Sequence, residues 1–156
     1  IDNWDVSKVS DMRNMFALSQ YNQPLGSWDV SSVTNMENMF VESKFNQPIG
    51  DWDVSSVTNM SSMFTGSSFN QPIDTWNVTQ VNDMSFMFAL SEFNQPIGNW
   101  DVGNVVDMRH MFDQCINYNQ DLSGWNVNNV TQCEYFSVIT PFWTLPKPNF
   151  TNCDPD

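Results

Sequence analysis

Positive charge is scarce. Five Lys and Arg stand against 18 Asp and Glu, for a net charge of −13. Phosphate binding needs clustered cations, so this balance argues against nucleic acid as a partner. It argues equally against docking on an anionic membrane. No apolar run is long enough to cross a bilayer, so no direct membrane insertion is expected of this segment, and no signal peptide is visible. His110 is the single histidine. No Ser or Cys pairs with it in a recognisable motif, and no Gly-rich phosphate loop occurs. The expectation is that the chain is not an enzyme. Charged residues are only 15%, too few for a disordered acidic tail.

Cysteine is nearly absent until the last third, which holds Cys115, Cys133 and Cys153. One disulfide with one free thiol is the simplest count, although sequence cannot fix a pairing. Cys133 with Cys153 is the expected pair, pinning the tail to the preceding coil; three reduced, buried cysteines are the alternative. Four Asn-x-Ser/Thr sequons occur, at Asn59, Asn77, Asn129 and Asn149. Asn149, in the irregular tail, is the expected glycosylation acceptor.

What the chain has in abundance is repetition. Trp4, Trp28, Trp52, Trp76 and Trp100 are 24 residues apart, and Trp125 follows 25 later. Each Trp leads into Asp-Val-Ser-x-Val-Thr-Asn-Met-x-x-Met-Phe or a close variant. The coils read as 1–24, 25–48, 49–72, 73–96, 97–121 and a partial 122–130, with a cap and tail at 131–156. Ile1-Asp2-Asn3-Trp4 matches Ile49-Gly50-Asp51-Trp52, so a processed or partial chain is expected, with earlier coils or a cap missing.

Within one coil, Ile49-x-x-Trp52-x-Val54 has the L-x-x-L-x-L spacing of a leucine-rich-repeat strand. Val57, Met60, Met63 and Phe64 have a short helical spacing, with Thr58 or Asn59 as its cap and Thr34 with Glu37 at capping-box spacing. The expected fold is therefore a leucine-rich-repeat-like solenoid of about six coils. Each coil would carry one short parallel strand and one short α or 3₁₀ turn, stacked so that like residues bury one another. Met-x-x-Met reads as core rather than as a soft-metal site. Asn22, Asn46, Asn70, Asn94 and Asn119 read as a structural row that satisfies backbone groups.

The motif Trp-Asp-Val-Ser-x-Val-Thr-Asn-Met-x-x-Met-Phe, followed by Phe-Asn-Gln-Pro-Ile, resembles the repeat of BspA-like leucine-rich-repeat surface proteins. It looks most like the branch common in mycoplasma-type lipoproteins and in bacterial and algal surface proteins. The resemblance covers about residues 1–137. It implies an extracellular or cell-surface protein that acts in adhesion and binds host or matrix components. It carries no catalytic residues.

The expected binding surface is the outward ladder beside the Trp and Val positions: Asp5, Asp29, Asp53, Asn77 and Asp101, with Ser31, Ser55 and Thr79. Protein, glycan or further copies of the chain are the expected partners. A structural role without a specific ligand, as a spacer or a fibre or matrix component, is the rival. No cofactor is expected; a weak calcium site at Asp29, Asp51 and Asp53 is conceivable, but Ca²⁺ wants six to eight oxygens and a single-file row supplies few.

Overall fold

The computed structural model describes residues 1–156 and contains neither helix nor strand. The expected leucine-rich-repeat-like solenoid, with a strand and a helical turn in each coil, is therefore not the fold. Neighbouring coils are joined by turns and by five isolated parallel bridges: Asp11–Asn35, Asn35–Asn59, Asn59–Asp83, Asp83–Asp107 and Asp107–Gln132. These bridges fall just before each first Met position, not at Trp-x-Val, where the strand was expected.

The backbone hydrogen bonds give the reason. Around Trp52 the chain folds on itself: the Trp52 N–H donates to Ile49 C=O at 3.1 Å, and the Val57 N–H to Val54 C=O at 2.9 Å. No backbone N–H of residues 52–54 reaches another coil, so no sheet ladder forms there. The segment after Val57 cannot be a helix, because left-handed residues interrupt it. Ser62 has φ 55° and Gly66 φ 64°. The same two positions are left-handed in every coil: Asn14, Asn38, Phe86, His110 and Tyr135 in the first column, and Leu18, Glu42, Leu90, Gln114 and Ile139 in the second. An α-helix requires successive right-handed residues.

The alternation nevertheless satisfies the backbone. Met60, Ser62, Phe64 and Gly66 donate their N–H groups to Asp83, Ser85, Met87 and Ala89 of the next coil at 2.8–3.0 Å. Met63, Thr65 and Ser67 donate to Met60, Ser62 and Phe64, closing overlapping turns at 3.1–3.2 Å. The Ser61 N–H goes to Asn59 Oδ1 at 2.8 Å. Every N–H from 60 to 67 thus has a partner, as buried backbone demands. The expected helix caps take other roles. Asn35 Oδ1 accepts the Glu37 N–H at 3.0 Å, and the Thr58 hydroxyl bonds the Thr34 carbonyl of the preceding coil at 3.2 Å.

The core is one continuous cluster from Val6 to Trp143. Phe rings stack along it: Phe16, Phe40, Phe64 and Phe88 lie at successive centroid spacings of 5.4, 5.6 and 5.8 Å. Each fully buried Phe contributes roughly 1.5–3 kcal/mol. Tryptophan suits its column because a buried indole N–H needs an acceptor. Trp52 Nε1 donates to Leu25 C=O at 3.1 Å and Trp76 Nε1 to Ile49 C=O at 3.0 Å, each reaching back to the preceding coil.

The tail closes the far end of the stack. Trp143 is buried, meets Tyr118 edge-on at 4.6 Å, and donates Nε1 to Gln120 C=O at 3.0 Å. The Phe136 N–H donates to Pro155 C=O at 3.2 Å. Cys133 and Cys153 form a disulfide with Cα atoms 5.8 Å apart and a sequence separation of 20. Loop closure of that size contributes about 3 kcal/mol in the chain-entropy description.

Candidate functional site

Two outer surfaces compete for the role of a site. One is the Asp-Ser row expected from the sequence. Each of its acceptors turns back on its own coil. Asp29 Oδ1 accepts the Ser31 N–H at 3.1 Å and the Ser31 hydroxyl at 2.6 Å. Asp5 holds Ser7 in the same way, and Asp53 Oδ1 accepts the Ser55 N–H at 3.0 Å. Asn77 accepts the Thr79 hydroxyl at 2.7 Å, and Asp101 accepts the Gly103 N–H at 3.1 Å. The Ser hydroxyl and then the Ser N–H hold the carboxyls of Asp5, Asp29 and Asp53 below the usual carboxylate range. These are side-chain-closed turns. With no sheet in the chain, there is no acidic sheet face to present them. The expected adhesion module acting through that face is thereby overturned. The residues proposed for calcium, Asp29, Asp51 and Asp53, are not gathered either; no group of three or more His, Cys, Asp or Glu lies close enough to hold a metal.

The other surface is built on the two left-handed columns. In the first, coils one to three carry Asn14, Asn38 and Ser62, whereas coils four to six carry Phe86, His110 and Tyr135. The latter three meet ring to ring outside the core, Phe86 stacked on His110 at 4.4 Å and Tyr135 tilted against His110 at 4.9 Å. His110 Nδ1 lies 3.0 Å from Asp113 Oδ2. In the second column Leu90 and Ile139 flank Gln114, and Ile116 comes from the one-residue insertion after Phe112. Leu90, Ile116 and Ile139 line an open hollow of about 450 Å³ with Glu92, Gln114 and Asn117 on its walls. They are 57%, 47% and 62% exposed, large values for aliphatic side chains beside a closed core.

The apolar cluster was missed by reading the sequence for like residues at like positions. Its signal is a change within a column: the second residue between the two methionines is polar in Met12–Met15, Met36–Met39 and Met60–Met63, then Phe86 and His110. At the corresponding position of the sixth coil stands Tyr135.

Two cysteines are joined, and the third is withdrawn from chemistry. Cys115 is fully buried, with Sγ 3.4 Å from Phe93 C=O, and burial pushes its thiol up to about 11. Tyr118 is also fully buried, and its hydroxyl has no hydrogen-bond partner. Asn149 is exposed in the tail. Of the other sequons, Asn77 accepts Thr79, and Asn129 Nδ2 donates to Gly103 C=O at 2.6 Å.

The stacked turns and outward left-handed columns define the class: a repeat chain whose coils are joined by turns rather than by strands or helices. The family described as Mycoplasma protein of unknown function, DUF285, matches residues 1–92 and again 68–142, and the chain belongs to it. That family, and a structure free of helix and strand, replace the resemblance to BspA-like leucine-rich-repeat proteins. No curated protein and no solved structure matches the chain.

Proposed function

We propose that the protein is a non-catalytic chain of an oxidising, extracellular or cell-surface compartment that works by contact with another protein. The observation that carries this reading is the apolar surface of coils four to six. Phe86, Leu90, Ile116, Tyr135 and Ile139 are all more than one-third exposed, while the core beside them is closed. Folding does not require apolar side chains there, because coils two and three place Asn38, Glu42, Ser62 and Gly66 at the matching positions. Clustered apolar exposure is characteristic of contact surfaces.

The disulfide between Cys133 and Cys153 supports the compartment, since such bonds persist outside the reducing cytosol. The non-catalytic reading draws on the withdrawn Cys115 thiol and on His110, whose ring is packed between Phe86 and Tyr135. The acidic net charge supports a partner other than nucleic acid.

The test is site-specific photocrosslinking on intact source cells. A photoreactive phenylalanine analogue replaces Tyr135 in one version and Ser31 in another. A defined protein adduct from position 135 alone, lost in the Leu90→Ser/Ile139→Asn variant, is the expected result. Equal adducts from both positions, or none from 135, would refute the contact surface. Impermeant biotin labelling of the same cells checks the compartment: an unlabelled chain would refute surface placement.

A further inference from the structure

We propose that the hollow between Leu90, Ile116 and Ile139 receives an apolar side chain from a basic peptide segment of the partner. This occupant rests on the protein-contact reading above. Three observations converge on it.

The first is conformational cost. Leu90 and Ile139 have φ values of 58° and 54°. Left-handed backbone is unfavourable for any non-glycine residue, and Cβ branching makes Ile139 a poor choice. Gly66 occupies the same column without that cost. Leu18 bears the same cost alone in coil one, whereas Leu90 and Ile139 are brought together on one hollow, with Ile116 beside them.

The second is size. At about 450 Å³ the hollow falls within the range of ligand pockets, and it has the mixed lining expected there, aliphatic walls with a few polar groups. It accommodates a large aliphatic or aromatic side chain and leaves Gln114 and Asn117 to meet backbone groups beside it.

The third is charge. Glu92 lines the hollow and forms no salt bridge, the protein's ion pairs involving Asp2, Asp11, Asp107 and Asp113 instead. Two of the five basic side chains, Arg13 and Arg109, are held by Asp11 and Asp107 at 2.9 and 2.6 Å. Lys147 lies over the Trp143 ring, 5.1 Å from its centroid. Its Nζ also donates to Ser137 Oγ at 2.9 Å, two residues from Ile139. With Glu92 the one charged side chain lining the hollow and a net charge of −13, a cationic segment is favoured there over an acidic one.

The test uses the full chain, ¹⁵N-labelled, and three synthetic hexapeptide amides followed by amide shift mapping. One is Lys-Arg-Leu-Phe-Arg-Lys. The second replaces its basic residues by acidic ones, and the third replaces Leu-Phe by Ser-Ser. The first peptide is expected to give saturable shifts centred on residues 90–92, 114–117 and 139, with at least about tenfold weaker binding of the other two. Glu92→Gln weakens the first peptide several-fold. Leu90→Ser/Ile139→Asn abolishes binding while melting no lower than wild type, because Asn tolerates left-handed backbone.

Equal binding of the acid-flanked or Ser-Ser peptide would overturn the proposal, as would shifts spread along Asp29, Asp53 and Asp101. So would failure to saturate by about 1 mM. Self-association in sedimentation that is lost in the double variant would assign the hollow to a second copy instead. A protein crosslinked at position 135 whose capture the basic peptide does not compete would leave protein contact standing and overturn only this occupant.

Discussion

The side-chain oxygen of Asn70 accepts the backbone N–H of Asn94, one coil further on, at 2.9 Å. It accepts Gln95 Nε2 as well, at 3.0 Å. The same arrangement joins Asn46 to Asn70 and Asn94 to Asn119. One amide per coil thus substitutes for a missing backbone acceptor.

Asn70→Ala should therefore cost about 1–3 kcal/mol, since it leaves the Asn94 N–H without its acceptor. Asn70→Asp should cost less, because a carboxylate still accepts both donors. Urea denaturation of the two variants beside wild type measures the difference; equal losses would remove the hydrogen-bond explanation.

Tyr118 occupies the column of Phe45, Phe69 and Phe93, yet its buried hydroxyl is unpaired. Tyr118→Phe should stabilise the protein by about 1 kcal/mol by removing an unsatisfied polar group. A raised melting temperature is the expected result. A lowered one would mean that the hydroxyl has a partner in solution.

Cys115 stands where other coils carry Ser43, Ser67 and Ser91. Its thiol is raised to about 11 in the folded chain. An unfolded thiol titrates at ~8.5, so above that pH the unfolded state loses its proton first. Stability contributed by the protonated thiol should be present below that value and fall as pH rises toward about 11. Cys115→Ser should flatten this alkaline slope in thermal melts. Native Cys115 should also resist iodoacetamide until the chain is unfolded.

The turn carboxylates act at the other end of the pH scale. Asp5, Asp29 and Asp53 are depressed chiefly by their Ser hydrogen bonds. A depressed carboxylate contributes stability that is fully present above the unfolded value of ~3.9 and is lost as pH falls through the folded one. Melting temperature should therefore decline below about pH 4. The triple Asp→Asn variant at these positions should decline less steeply, since Asn77 shows that an amide closes the same turn.

The left-handed columns make a paired prediction. Gly66→Ile should destabilise by roughly 1–2 kcal/mol or more. A Cβ at Gly66 meets the Glu42 side chain at 3.1 Å, and the backbone there has φ 64°. Ile139→Gly removes the corresponding backbone strain. Opposite shifts in melting temperature are expected; matching shifts would separate stability from backbone handedness.

The recurring residues mark the columns directly. Trp52, Val54, Val57, Met60, Met63 and Phe64 are all buried, as are their counterparts one coil later. The conformation between them was not legible. The left-handed positions hold Asn, Ser, Phe, His, Leu, Glu, Gln, Tyr and Ile, with a single Gly, and carry no glycine signature. Val57, Met60, Met63 and Phe64 have the spacing of a short helix, and the Ile49–Val54 stretch that of a strand. Neither element forms. The site was equally hidden, because Phe86, Leu90 and Ile139 depart from the repeat and their common face depends on backbone handedness.

By itself, then, the sequence determined which side chains meet, because apolar residues recurring every 24 positions bury best against their own kind. Tertiary structure alone decided how the chain runs between them. A left-handed residue is costly in isolation; in coils one to five the next coil offsets that cost by supplying an acceptor, as Ser85 C=O does for the Ser62 N–H at 2.8 Å. That exchange belongs to the stack rather than to any one coil. Left-handed backbone at Leu90 and Ile139 sets both beside Ile116 around one hollow.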